Sequence, residues 1–308
     1  MAAIIEIAEG LRFPEGPVAL PDGDVLVVEV AGNRLTRVHP NGSKSVVAEM
    51  TGGPNGAAIG PDGHCYICNN GGFRQLERDG RIFLLGQAED YSGGRIERVN
   101  LETGSVDVVY SECDGRPLKG PNDIVFDAAG GFWFTDHGKR RARDRDVTGV
   151  FYALPDGSAI REVIFPSEEP NGVGLSPAED ELYVAETHTG RLFAYALEGP
   201  GLLAGPKPVL RGDQGRLVAG LTGLQLLDSL AVDGAGNICV ATIHNGGISV
   251  IEPYSGEVSH VPMPDIVTTN ICFGGEDLKT AYITLSSTGK LVKMQWPRPG
   301  LGLNFLNK

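Results

Sequence analysis

Apolar residues along this chain fall in short runs of strand length, and no long stretch carries the spacing of a helix. The runs come in pairs. "GPNDIVFDAAGGFWFTDHG", from Gly120, gives a polar residue, an apolar run, a small turn, a second run and a glycine-bearing exit. "EPNGVGLSPAEDELYVAETHTG", from Glu169, says the same again, and so do segments starting at Phe13, Gly53, Leu227 and Thr269. The turns "PDGD", "PDGH", "AAGG", "PAED", "GAGN" and "GEDL" join each pair, which is the signal of a hairpin. More strand-like sequence follows each pair, such as "RLTRVHP" and "KSVVAEM" after the first.

Four strands per unit and six units predict an all-β, six-bladed β-propeller with four-stranded blades, a single domain over residues 1–308. The sixth unit lacks a fourth strand after "GKLVKMQW". "AIIEIAE" near the N-terminus is expected to supply it, closing the last blade and removing two open sheet edges. Two stacked β-sandwiches would not explain why a polar residue opens every unit. Composition agrees: 44 glycines and 20 prolines in 308 residues suit short strands and tight turns.

In a propeller the first strand of each blade lines a central channel. The leading residues Glu15, Asn55, Asn122, Asn171, Asp228 and Asn270 therefore converge at one end of it. The second strand returns to the same face, so Glu29, Asn69, Asn70, Asp136, His137, Glu186, His188, His244 and Ser286 are expected to ring the mouth. Each Pro-Asn-Gly read alone is a turn. Six copies in register, two of them with carboxylates, are more than turn chemistry requires. No lysine or arginine leads the strands, so the natural partner of these acids is a divalent cation. Carboxylate and amide oxygens are hard ligands and favour Ca²⁺, with Zn²⁺ or Mn²⁺ as substitutes.

Net charge is −13, which repels phosphate backbones and argues against nucleic-acid binding. The N-terminus has neither a basic start nor a long apolar core, and no run is long enough to span a membrane, so a cytoplasmic location is expected. Five cysteines cannot all pair within the chain. Cys65 and Cys68 form C-x-x-C, but alternate strand residues point to opposite faces, so buried thiols in a reducing compartment are expected.

At these residues the chain resembles the senescence marker protein/gluconolactonase family, which includes regucalcin, luciferin-regenerating enzyme and bacterial lactonases. The resemblance runs from "FPEGPV" to "NICFGG", and "HNGGISVIEP" belongs to it. It implies that Glu15, Asn171 and Asp228 hold a divalent metal and that Asn122 touches metal or substrate. It also implies Asp228 as the base. Animal members carry an arginine two residues before the third-blade asparagine; here that position is Gly120. The position points away from sugar lactones and towards a bulkier or less polar substrate. Asn55, His137, His188 and His244 are candidate substrate contacts.

The expected activity is metal-dependent hydrolysis of a small-molecule lactone or ester, with a polarised carbonyl and an activated water. An organophosphate or ester hydrolase, or a condensing or isomerising enzyme like the strictosidine-synthase relatives, remains open on the same scaffold, as does a non-catalytic propeller stapled by calcium. No G-x-S-x-G elbow occurs, so a serine nucleophile is not supported. Two insertions are expected near the mouth: residues 71–92, as a lid or packed down onto blade two, and residues 138–148, whose Arg140, Arg141 and Arg143 read first as a solvated charge run and otherwise as a receiver for a carboxylated substrate.

Overall fold

The computed structural model describes residues 2–205 and 215–308. No helix occurs among them, and the strands form six antiparallel sheets built on four strands each. Blade 1 comprises Pro14–Ala19, Val25–Glu29, Arg34–Val38 and Lys44–Glu49. Blade 2 comprises Pro54–Ile59, Cys65–Asn69, Arg95–Val99 and Val106–Tyr110. Blade 3 comprises Pro121–Phe126, Phe132–Asp136, Thr148–Ala153 and Ile160–Ser167. Blade 4 comprises Pro170–Leu175, Glu181–Glu186, Arg191–Gly199 and Arg216–Gly220, with a short extra strand at Leu202–Leu203. Blade 5 comprises Leu226–Val232, Ile238–Ile243, Gly247–Ile251 and Val258–Pro262. Blade 6 comprises Thr268–Gly274, Thr280–Leu285 and Lys290–Gln295, and Ile5–Ala8 pairs with the last of these to complete it. The structure is the expected six-bladed propeller, closed by its N-terminal strand.

The core is six seams rather than one centre. Each hydrophobic cluster lies between two neighbouring blades. A blade buries both faces, so its second strands read as unbroken apolar runs such as "CYIC" and "FWF". Alternation then splits a single strand between two seams. Cys65 and Ile67 pack between blades 1 and 2, while Tyr66 and Cys68 pack between blades 2 and 3. The C-x-x-C pair thus points two ways, and all five cysteines are free and buried.

The inner strands share a device that sets the site. Pairing with the second strand slips at the leading polar residue in every blade, between Glu15 and Val18, Pro54 and Ala57, Pro121 and Ile124, Pro170 and Val173, Leu227 and Leu230, and Thr268 and Asn270. A bulge re-aims a side chain that the regular pleat would send into a seam. The Pro-Asn-Gly segments are therefore bulged strand starts and not turns. Their glycines answer to crowding between blades. A Cβ on Gly56 would lie 2.4 Å from the Asn122 carbonyl oxygen, and one on Gly172 would lie 2.7 Å from that of Asp228. The ring of inner strands is too tight there for any side chain.

After blade 6 the chain crosses the opposite end of the channel as a strap. Leu301 N donates to Val232 O at 2.9 Å, and Asn304 Nδ2 donates to Phe126 O at 3.1 Å. Phe305 meets Phe126 edge-on. Leu301, Leu303 and Leu306 cover a small residual cavity of about 100 Å³ at that end.

Candidate active site

At the mouth lies a cavity of about 860 Å³. Glu15, Asn55, Asn122, Asn171 and Asp228 line it from the inner strands, and His137, His188 and His244 line it from the second-strand exits. The eight residues named in the sequence as metal ligands or substrate contacts thus reach one space. Asn270 does not line it. Its Nδ2 donates to Glu15 Oε2 at 2.8 Å, from behind.

Asp228 is one of three buried acids that crowd the bottom of this space. Burial, then the charge of Glu15, pushes the Asp228 carboxyl well above its ordinary value. Burial likewise raises Glu15, against the hydrogen bonds it accepts from Thr269, Asn270 and the Gly16 amide. Asp123, the residue after Asn122, is pushed up to about 7 by burial and by Glu15. Its carboxylate is turned away from the mouth and accepts from Ile124 N at 3.0 Å and Val173 N at 3.2 Å. Beside these acids, Asn122 Oδ1 is buried without a hydrogen-bond partner. Asn171 is oriented by its Nδ2, which donates to Thr187 Oγ1 at 3.2 Å. Two carboxylates, an unpartnered amide oxygen and a second oriented amide make a hard-donor set with excess negative charge, which fits a divalent cation.

The exit residues divide into two groups. Glu29 accepts from Arg12 N, Asn69 from Gly53 N, Asp136 from Lys119 N and Gly120 N, and Glu186 from Glu168 N. These four expected mouth residues instead clamp the backbone that leads into the inner strand of their own blade. Ser286 does related work by donating to Pro14 O at 2.6 Å, which ties blade 6 to blade 1. The histidines, just beyond the clamps, face the cavity. Burial pushes the His137 imidazole down to about 4, so it is neutral near neutral pH.

Residues 73–87 rise from blade 2 as a hairpin, Phe73–Arg78 with Arg81–Gln87, and roof the cavity with Phe73, Leu76, Phe83, Leu84 and Leu85. The hairpin crosses to the far rim. Ile82 N donates to Ser287 O at 2.9 Å, and Glu77 meets Arg12 at 2.7 Å. Its base is pinned by buried Lys139, whose Nζ donates to Asn70 Oδ1 at 2.9 Å and Gly72 O at 3.0 Å and lies 3.6 Å from the centre of the Phe73 ring. The expected lid is thus a docked roof. Phe13, Val30, Leu226, Ile243, Ile266 and Val267 make the walls apolar too.

In the basic insertion, Arg140 and Arg141 are paired within the protein. Arg141 pairs with Asp144 and Asp146, and Arg140 pairs through both Nε and Nη2 with Glu169. These two cations are taken by internal acids and are not held out for a carboxylated ligand. Glu169 is a residue the sequence reading did not weigh. It stands just before the Pro-Asn of blade 4 with φ at 56°, in the left-handed region. Its one sequence signal was a charged residue where blades 2 and 3 have Gly53 and Gly120. Its carboxylate accepts from Arg140, from Arg145 at 2.9 Å and faces His188 Nδ1 at 2.8 Å. Burial alone would raise this carboxyl, but Arg140 and His188 outweigh it and hold it far below its ordinary value. Ligand atoms of His137, Glu169 and His188 lie within 4.8 Å of one another, a grouping that could hold a metal ion. Two guanidiniums on the same carboxylate oppose a cation there.

The geometry defines a propeller whose channel mouth gathers hard oxygen donors beneath an apolar roof. The model of the SMP-30/gluconolactonase/LRE-like region matches residues 13–287, and the chain belongs to that family. It is 30% identical over 258 residues to lactonase drp35 of Staphylococcus haemolyticus, covering 83% of this chain and 71% of that one. It is 26% identical over 306 residues to gluconolactonase of Zymomonas mobilis, covering 91% and 78%. Among solved structures, a gluconolactonase of Xanthomonas campestris superposes with a TM-score of 0.75 at 22% identity, over 96% of this chain and 90% of that one. Regucalcin of Agrobacterium tumefaciens, described as a calcium-binding protein, gives 0.73 at 17% identity over 98% of both. These two likenesses bear on the fold. No helix among the described residues is long and apolar enough to cross a membrane.

Proposed function

We propose that this protein is a metal-dependent lactonase, with Ca²⁺ held by Glu15, Asn122, Asn171 and Asp228. The observation that carries the reading is the buried, unpartnered Oδ1 of Asn122 beside two buried carboxyls, Glu15 and Asp228, both pushed above their ordinary values by burial. Such a group is costly to bury unless a cation completes it. The names of the relatives, lactonase and gluconolactonase, support lactone opening as the reaction.

When bound, the ion supplies Lewis acidity to a carbonyl oxygen and balances the two acids. The chain's own groups do the rest. Asp228 takes the proton of the attacking water. The amide of Asn122 donates to the oxyanion as it develops. Apolar walls and the hairpin roof seat the substituents of the ring and exclude bulk water. With Gly120 offering no cation and about 860 Å³ to fill, the cavity suits an alkyl- or aryl-substituted lactone better than a sugar lactone. Each buried CH₂ adds about 0.8 kcal/mol of binding.

The test is hydrolysis of a panel, with gluconolactone, alkyl and aryl lactones, an aryl ester and a phosphotriester, followed by pH indicator with and without chelator. Lactone opening that disappears on chelation and returns with Ca²⁺ is expected. Undiminished hydrolysis after the protein is shown to be metal-free would refute the metal site. Phosphotriester turnover without lactone turnover would replace the substrate class.

A further inference from the structure

The three cavity histidines are not equivalent. His137 is deep and neutral, and His244 lies in a left-handed turn at φ 72°. Among the described residues, His188 alone of the three faces a carboxylate as an ion-pair partner, Glu169 Oε2 at 2.8 Å from its Nδ1. That carboxylate is itself gripped by Arg140 and Arg145, so it cannot swing away. With Nδ1 committed to Glu169, Nε2 is the ring's free nitrogen, and the ring lines the cavity.

His188 is also tied to the metal-site residues through the chain. Its neighbour Thr187 accepts from Asn171 Nδ2 at 3.2 Å and, through its carbonyl, from Leu227 N at 3.3 Å, one residue before Asp228. Thr187 N in turn donates to Glu169 O at 3.1 Å. The backbone of Glu169 is held in the left-handed region, a strain that folds retain where the surroundings over-determine it. The surroundings here are the two arginines and the histidine.

We infer that His188 is the acid that protonates the leaving oxygen, with Glu169 as its positioning residue. This inference rests on the lactonase reading. Water's oxygen bonds to the carbonyl carbon and its proton goes to Asp228. The bond between the acyl carbon and the ring oxygen then breaks, and its electron pair stays on that oxygen. The proton on His188 Nε2 moves to the same oxygen, giving the alcohol. His188 is left neutral with Nδ1–H on Glu169, and the proton from Asp228 recharges it through solvent. Two groups on adjacent blades thus divide the proton traffic, Asp228 on the entering water and His188 on the departing alkoxide.

A leaving-group comparison separates this role from binding or scaffolding. Alkoxides need a proton to depart, whereas nitrophenolate does not. His188 is one-third exposed, so His188→Ala and His188→Gln leave the core intact. Both variants are expected to lose about 10²–10⁴-fold in kcat on an alkyl lactone, and less than about 10-fold on a nitrophenyl ester of matched acyl group. Bound metal should be unchanged. Glu169→Gln should show the same dependence on leaving group to a smaller degree. Equal losses on both substrates would overturn the assignment while leaving the lactonase reading standing. A wild-type protein inert to both would overturn the two together.

Discussion

Asn270 Nδ2 donates to Glu15 Oε2 at 2.8 Å, joining the last blade to the first through a residue of the candidate metal site. The amide leaves the carboxylate charged while fixing its orientation. Asn270→Leu should therefore weaken Ca²⁺ binding by about 10–100-fold, as loss of a ligand's supporting partner commonly does. Calorimetric titration with Ca²⁺ measures this. An unchanged affinity would mean that Glu15 needs no such support.

Asp228→Asn keeps shape and removes charge. Turnover should fall by more than the roughly 10²–10⁴-fold of a lost general base, because one of two balancing charges goes with it. Elemental analysis on the same sample separates the two effects. Near-normal rate with full metal content would dismiss Asp228 as the base.

Gly56→Ala places a methyl 2.4 Å from the Asn122 carbonyl oxygen, and that backbone cannot yield without moving Asn122. Overpacking of this kind costs about 1–3 kcal/mol. A lower Tm and weaker metal binding together are expected, whereas Gly63→Ala, with open space around it, should leave metal binding intact.

The metal-free protein should respond to pH through its buried acids. Asp123 titrates at about 7 in the fold and near 4 when unfolded, so between those values the native state holds the extra proton. Its contribution is fully present below about pH 4 and is lost as pH rises through about 7, with Glu15 and Asp228 shifted in the same direction. Tm of the chelated protein should fall over that range, and Ca²⁺ should restore most of it at pH 7.5. A Tm that rises from pH 5 to pH 7.5 without metal would contradict the burial of these acids.

Shortening the hairpin over residues 75–85 removes the apolar roof. The kcat/KM for an aryl or alkyl lactone should drop, and that for gluconolactone should change little. If the sugar lactone is preferred in wild type and shortening alters nothing, the roof has no part in selecting substrate.

The fold was legible because the same verse recurs six times and the second strand of each blade is apolar enough to be buried on both faces. The polar slots at Glu15, Asn122, Asn171 and Asp228 were legible for the same reason. Their glycines were not, because crowding between blades leaves the same letters as a turn. The exits misled in part. Glu29, Asn69, Asp136 and Glu186 recur like site residues, but each sits opposite the proline of its own inner strand and holds the backbone there. Glu169 was hidden for the opposite reason. It occurs once, and only folding brings His188 and two arginines from blade 3's insertion around it.

The strap over the far end gives the channel a single door. Leu301, Leu303 and Leu306 shut the base, so whatever reaches Asp228 has come under the hairpin and must go back the same way. Arrival and departure cannot overlap. If the proposed reading holds, a hydroxy acid left behind by a bulky lactone has to clear before its successor enters, and exit rather than bond cleavage is expected to set the pace for such substrates.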